Sequence, residues 1–215
     1  MITADLHIHT AYSVDSVSGL EQIIEHCCQI GINCLAVADH NTIAGAIKMQ
    51  ELAPFRIIVA EEILTSDGEV IGLFLKKEIP AKLTMEKTIA RIKEQNGLVC
   101  IPHPYDTLRF SAFRNQALES IMPQIDIVEV FNARSLFPGG SDKARLLAQK
   151  HNKLASAGSD AHIASEVGRA YVEMPDFNDN NEFLMALAKG KIFGRRSNPV
   201  VHFASTWARL RKSFS

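Results

Sequence analysis

The sequence predicts an α/β barrel built from repeated strand–helix units. Three observations lead there. Short apolar strands alternate with amphipathic helices, the strands are apolar nearly throughout, and polar residues gather at the strand ends. Strands apolar on both faces belong to a parallel sheet covered by helices, and so many units in one domain favour closure into a (β/α) barrel over an open doubly wound sheet. With 215 residues, 47% of them apolar and 22% charged, the chain suits a single domain over 1–215.

The elements follow in order. Ile2 to Leu6 reads as a strand, and Ser18-Gly19-Leu20-Glu21 as a capping box opening a helix that stops near Gly31. Asn33 to Ala38 is a buried strand, followed by a helix from about Thr42 to Leu52. Arg56 to Ile63 and Glu69 to Leu75 form a hairpin around Ser66-Asp67-Gly68. A helix from about Thr84 to Gln95 ends at Asn96-Gly97, and Leu98 to Ile101 is the next strand. Asn115 to Met122 is a helix, Ile125 to Phe131 a strand, and Gly140 to about His151 a helix. Leu154 to Ala157 is a strand, and a last helix covers about Asn180 to Ala188. Residues 200–215, with Trp207 and the basic Arg209-Leu210-Arg211-Lys212, read as a solvated C-terminal tail.

Composition excludes several roles. A net charge of −1 gives no global field for a stable nucleic-acid complex or an anionic membrane, so phosphate binding must come from local charge. No apolar run reaches the roughly 18 residues of a membrane span. The start, MITADLHIHT, lacks the basic and long apolar regions of a signal peptide. Cys27, Cys28, Cys34 and Cys100 form neither a C-x-x-C pair nor a disulfide framework, and free thiols point to the cytoplasm. His26, His151 and His202 read as residues without a functional part.

The chemistry lies where the polar residues fall. Asp5-Leu6-His7-Ile8-His9 closes the first strand, Asp39-His40 the second and Glu61-Glu62 the third. His103 follows the next strand between two prolines, Asn132 ends Val128-Glu129-Val130-Phe131-Asn132, and Gly158-Ser159-Asp160-Ala161-His162 follows the strand after that. In a (β/α) barrel these ends share one rim, where the active site is built. His-x-His at a strand end puts both imidazoles on one side, and imidazole with carboxylate suits Zn²⁺, Mn²⁺ or Fe²⁺. A carboxylate can bridge two cations about 3.5–4 Å apart, an arrangement suited to phosphoryl chemistry. By strand alternation Glu61 and Glu62 point to opposite sides, which leaves one of them for solvent. Asp39 is read either as orienting an imidazole or as a helix cap.

The series Asp-x-His-x-His-Thr, Ala-Asp-His-Asn, an acidic residue after a strand, Pro-His-Pro, Glu-Val-Phe-Asn and Gly-Ser-Asp-Ala-His resembles the PHP (polymerase and histidinol phosphatase) superfamily, from Asp5 to about Gly168. The resemblance implies a distorted, TIM-like (β/α)₇ barrel with two or three divalent ions at its C-terminal rim. It implies His7, His9 and Asp160 around a first ion, Glu62 as a bridge, His103 and Asn132 at a second, and Asp15, His40 and His162 at a third. Some relatives carry His where this chain has Asp15 and Asn132. Asp15 favours a harder cation, and Asn132 is the poorer ligand.

The expected reaction is hydrolysis of a phosphomonoester by hydroxide generated at the cations. A metal-bound water or a nearby imidazole, His40 or His162, is expected to protonate the leaving group, and Arg134 to contact the phosphate ahead of Arg169 and Arg196. Compact relatives with Asn at this position resemble nucleotide phosphatases, so the expected substrate is a small phosphorylated one, a nucleotide or a short oligonucleotide end. Histidinol phosphate is the next candidate. An amidohydrolase-type C–N hydrolase would commonly carry a bridging Lys on a central strand, whereas Lys76 and Lys77 close the hairpin strand. A non-catalytic, metal-stabilised module would be missing ligands, and this set is nearly complete.

Overall fold

The computed structural model describes residues 1–106, 115–136 and 138–198. The tail at 200–215, with His202, Trp207 and the basic run, lies outside the described residues. The chain forms one distorted TIM-like barrel. Its strands are β1 (Ile2–Ile8), β2 (Cys34–Val37), β3 (Arg56–Leu64), β4 (Glu69–Leu73), β5 (Leu98–Ile101), β6 (Ile127–Asn132), β7 (Leu154–Gly158), β8 (Ala170–Met174) and β9 (Lys191–Gly194). The helices are α1 (Leu20–Ile30), α2 (Ala44–Leu52), α3 (Met85–Glu94), α4 (Asn115–Ile121), α5 (Pro138–Lys150) and α6 (Asn180–Leu187).

The sheet runs β7-β6-β5-β4-β3-β2-β1-β8-β9. The pairs β1–β2, β2–β3, β5–β6 and β6–β7 are parallel. The hairpin strand β4 runs against β3 and β5. β8 and β9, two antiparallel strands that the sequence reading did not anticipate, continue the sheet beyond β1. β8 pairs only with Ile2 to Ala4 of β1. That leaves the C-terminal end of β1 to meet the segment after β7, through Ile8 opposite Ala161 and bonds from Asp160 N to His7 O (2.7 Å) and from His9 N to Ala161 O (2.9 Å). The barrel therefore closes at the rim that carries the polar residues.

Strand alternation sorts the apolar side chains into two layers. Leu35, Val37, Ile57 and Val59 pack with Ile23, Met49, Ile89 and Leu147 of the helices. Cys34, Ala36, Ile58 and Ala60 join Cys100, Ala157 and the α6 residue Phe183 in the other cluster. Helix ends match their sequence signals. Thr84 caps α3 by accepting from Lys87 N, and Asp179 caps α6 by accepting from Asn181 N and Glu182 N. For α1 the cap is Gly19, one residue later than the Ser18 box, with Gln22 Oε1 receiving Gly19 N; Gly31 ends the helix at φ 80°. Among the described residues, no helix is long and apolar enough to cross a membrane.

Glu61 corrects one expectation. It does point away from Glu62, yet it is fully buried instead of solvated, because the far side of β3 is covered by helices and by the segment around Ile79. Its Oε2 accepts from Ile79 N at 2.9 Å, and its Oε1 has no hydrogen-bond partner among the described residues. Burial pushes this carboxyl from its ordinary 4.5 up to about 8, against the opposing pull of the Ile79 N–H. A carboxyl raised on folding contributes stability below about 4.5, and that contribution is lost as pH rises through about 8. Glu61→Gln keeps an acceptor for Ile79 without the charge. Its melting temperature is expected to match the parent at pH 5 and exceed it at pH 9; an equal difference at both pH values would contradict this account.

Candidate metal centre

Each strand end delivers its residue for a local reason. His7 and His9 stand on and just past β1, held by the bonds that close the barrel. His40 follows β2 and bridges to Glu62 near the end of β3. His103 follows β5, and Asp160 and His162 follow β7. His103 and Asp160 both adopt positive φ, 27° and 55°, strained for non-glycine residues and held there by the surrounding bonds.

The side chains converge on Glu62. Its Oε2 lies 3.4 Å from His7 Nε2, 3.3 Å from His9 Nε2 and 3.3 Å from His40 Nδ1, and its Oε1 lies 3.0 Å from His103 Nε2. Asp160 Oδ1 is 3.3 Å from His9 Nε2 and 3.8 Å from His7 Nε2. On the far side, Asp15 meets His40 Nε2 at 3.2 Å through Oδ2 and His162 Nε2 at 3.3 Å through Oδ1. Potential ligand atoms thus gather in overlapping sets: His7, His9 and Asp160; His7, Glu62 and His103; His9, Asp15, His40 and His162.

Two details test whether these residues fit divalent cations. His7 Nε2 and His9 Nε2 face each other at 3.1 Å, so they need a proton or a cation between them. His9 Nδ1 and Glu62 Oε2 are buried without a hydrogen-bond partner among the described residues. Lone pairs aimed at a common space, in a mixed imidazole–carboxylate set, fit such ions.

The electrostatics agree. Burial opposes charge on His7, yet the carboxylates of Glu62, Glu129 and Asp160 raise it well above its ordinary value. Burial likewise opposes charge on His9, but Asp160 and Glu62 bring it up to about 9. Glu62 is held well below the carboxylate range, since His7 and His40 outweigh its burial. Without cations the imidazoles hold the positive charge, so metal binding is coupled to proton release. His162 is the exception. Burial and the nearby His9 push it down to about 4, so its ring stays neutral at pH 7.

Supporting bonds surround this shell. Glu129 Oε1 takes His7 Nδ1 at 3.1 Å, while Oε2 receives His103 N at 2.8 Å and Asn132 Nδ2 at 3.0 Å. A proton held on Nδ1 by Glu129 directs the His7 Nε2 lone pair into the cluster. Asp5 receives Ser159 N and Gly168 N, each at 2.9 Å, tying β1 to the loop after β7; burial, against these bonds, raises it to about 6.

Comparison with known proteins shows the family. The PHP domain family model matches residues 5–101, and the PHP-associated family model matches residues 140–192. Two uncharacterised proteins of Methanocaldococcus jannaschii are similar. One is 40% identical over 143 residues, 60% of this chain and 81% of its own length; the other is 36% identical over 177 residues, 81% and 71% respectively. The chain belongs to the PHP family. Among solved structures, a two-domain protein of Bacteroides vulgatus containing a predicted PHP-like metal-dependent phosphoesterase superposes with TM-score 0.73 at 14% identity. The match covers 90% of this chain and 65% of that one, and it shows a shared fold.

Within this PHP barrel, eight of the nine residues read as ligands sit in the clusters: His7, His9, Asp15, His40, Glu62, His103, Asp160 and His162. Asn132 stands apart. Its Oδ1 receives Arg134 N at 2.9 Å and its Nδ2 donates to Glu129 and to Asp160 Oδ2, so the amide braces two acids beside the centre. Asp39 has neither expected role. It receives both N and Oγ1 of Thr10, at 2.6 and 2.7 Å, and so anchors the loop after β1. Gly45 makes room for it, since a Cβ there would lie 2.1 Å from Asp39 Oδ2.

Arg134 is buried and paired with Glu166 at 3.3 Å. Arg196 bonds to Ser135 O and Ser141 Oγ beside a cleft lined by His103, Tyr105, Asn132 and Ser141, and Arg169 has its backbone in the Glu166 turn. The sequence reading missed Glu129, Glu166 and Glu69, whose Oε1 lies 4.0 Å from His40 Nδ1. For Glu129 a signal existed: one acid inside the apolar run Ile127–Asn132.

Proposed function

We propose that this PHP protein hydrolyses phosphomonoesters with two or three divalent ions, Zn²⁺, Mn²⁺ or Fe²⁺, and that its substrate is a nucleotide or the end of a short oligonucleotide. The supporting observation is the convergence of imidazoles and acids on Glu62, with lone pairs aimed inward. Cations bound there would supply neutralisation of the phosphate oxygens and acidification of water at neutral pH. The chain's own residues do the rest. Glu129 and Asp5 keep His7 and the loop after β7 in register, and Arg134, paired with Glu166, stands beside the His162 side of the centre. Proton delivery to the leaving alkoxide falls to His40 or to water acidified at the cations, since the His162 ring is held neutral at pH 7. His40 is also the more accessible imidazole, with 12% of its side chain exposed against 6% for His162. The cleft beside His103 and Tyr105 receives the organic part of the substrate. Free thiols at Cys27, Cys28, Cys34 and Cys100 suit a cytoplasmic enzyme.

The test is a panel of nucleotide monophosphates, histidinol phosphate, sugar phosphates and amides, assayed with Mn²⁺ and with chelator. Phosphate release that needs Mn²⁺ and favours nucleotides is the expected result. Preference for histidinol phosphate would replace the substrate assignment, and amide cleavage without phosphate release would overturn the reaction.

A further inference from the structure

We propose that Glu166 is a positioning residue whose carboxylate neutralises the buried Arg134 guanidinium, so that no net positive charge at the centre's wall repels the cations. The inference rests on the metal-binding reading above.

Glu166 ends the short helical turn Ala164–Glu166 in the loop between β7 and β8. Its Oε2 lies 3.3 Å from Arg134 Nη1 and receives His162 N at 3.2 Å. Only 1% of Glu166 and 3% of Arg134 is exposed. One carboxylate therefore joins the end of β6 to the backbone of a ligand histidine. A guanidinium does not deprotonate in proteins, so burial leaves it two states: paired, or an uncompensated cation. Here the uncompensated charge would act on His162, whose Nε2 stands 3.3 Å from Asp15 in the set shared with His9 and His40. Positive charge at that place opposes a bound cation by plain Coulomb repulsion, which a buried setting screens poorly.

The measurement is titration of metal-free, full-length protein with Mn²⁺ alone, read as ions bound per chain and affinity. Glu166→Gln keeps an acceptor for His162 N and removes only charge, so Mn²⁺ affinity is expected to fall about 10–100-fold at the weakest site. Adding Arg134→Met removes the stranded cation and is expected to restore parental affinity, a recovery that lost packing would not produce. Should Glu166→Gln fail to fold, the pair Arg134→Met with Glu166→Leu replaces both charges by apolar groups and decides the matter. Folded, with parental Mn²⁺ affinity, it supports the proposal; folded and still weak, or itself unfolded, it shows that shape matters and not charge, and overturns it. Equal affinity in parent and Glu166→Gln overturns it as well. A parent that binds no Mn²⁺ would instead overturn the metal-binding reading.

Discussion

Glu62→Gln is expected to remove at least one bound ion per chain and to lower kcat/KM by on the order of 10³ or more, about 4 kcal/mol of transition-state stabilisation. The argument is geometric. Glu62 is fully buried, and its two oxygens face four imidazoles at 3.0–3.4 Å. Gln has the same shape, so the fold and the positions of the imidazoles should persist. What changes is charge and lone-pair supply: an amide nitrogen bridges no cations, and the imidazoles lose their central counter-charge. Elemental analysis and phosphatase assays on a variant with a native circular dichroism spectrum check this. Full metal content with undiminished turnover would mean that Glu62 is only a buried counter-ion for histidine.

The rim was legible in the sequence because barrel topology turns strand ends into neighbours. His7, His40, Glu62, His103 and Asp160 could be grouped once each was placed at the end of an apolar strand. Three kinds of feature were not legible. The first concerns exposure: alternation put Glu61 opposite Glu62, but opposite means solvent only for a sheet with one wet face. The second concerns pairing at a distance. Glu129 meets His7 across 122 positions and Glu166 meets Arg134 across 32, and no local pattern encodes which strand end lies alongside which loop. The third concerns edge strands. Much of β9 is exposed, and β8 alternates over only five residues, so neither carries the apolar run by which buried strands were recognised. Asn132 adds a subtler lesson. Its position at the end of β6 suggested a ligand, while its bonds to Arg134, Glu129 and Asp160 make it part of the frame.

Gly158→Ala is the second large expected effect, and it acts through backbone proximity. A Cβ at Gly158 would lie 2.3 Å from His7 Cβ, 2.8 Å from His7 N and 2.9 Å from Glu129 Oε1. The first two belong to β1 at its rim end. That end is fixed to the loop after β7 by bonds from Asp160 N to His7 O and from Ser159 N to Asp5 Oδ1, at 2.7 and 2.9 Å. No rotamer change relieves such contacts, so one added methyl must push the strands apart. Overpacking of this kind costs roughly 1–3 kcal/mol and more where backbone is struck, and 1–3 kcal/mol in a chain of this size corresponds to a loss of about 2–12 °C in melting temperature. His7 moves with β1, away from Glu129 and from the mouth of the barrel. Mn²⁺ binding measured well below the melting temperature should therefore fall too, in a protein that is still folded. Unchanged melting and unchanged Mn²⁺ affinity would show that the β1–β7 closure yields freely, and would remove the structural reason for a glycine just ahead of Ser159-Asp160.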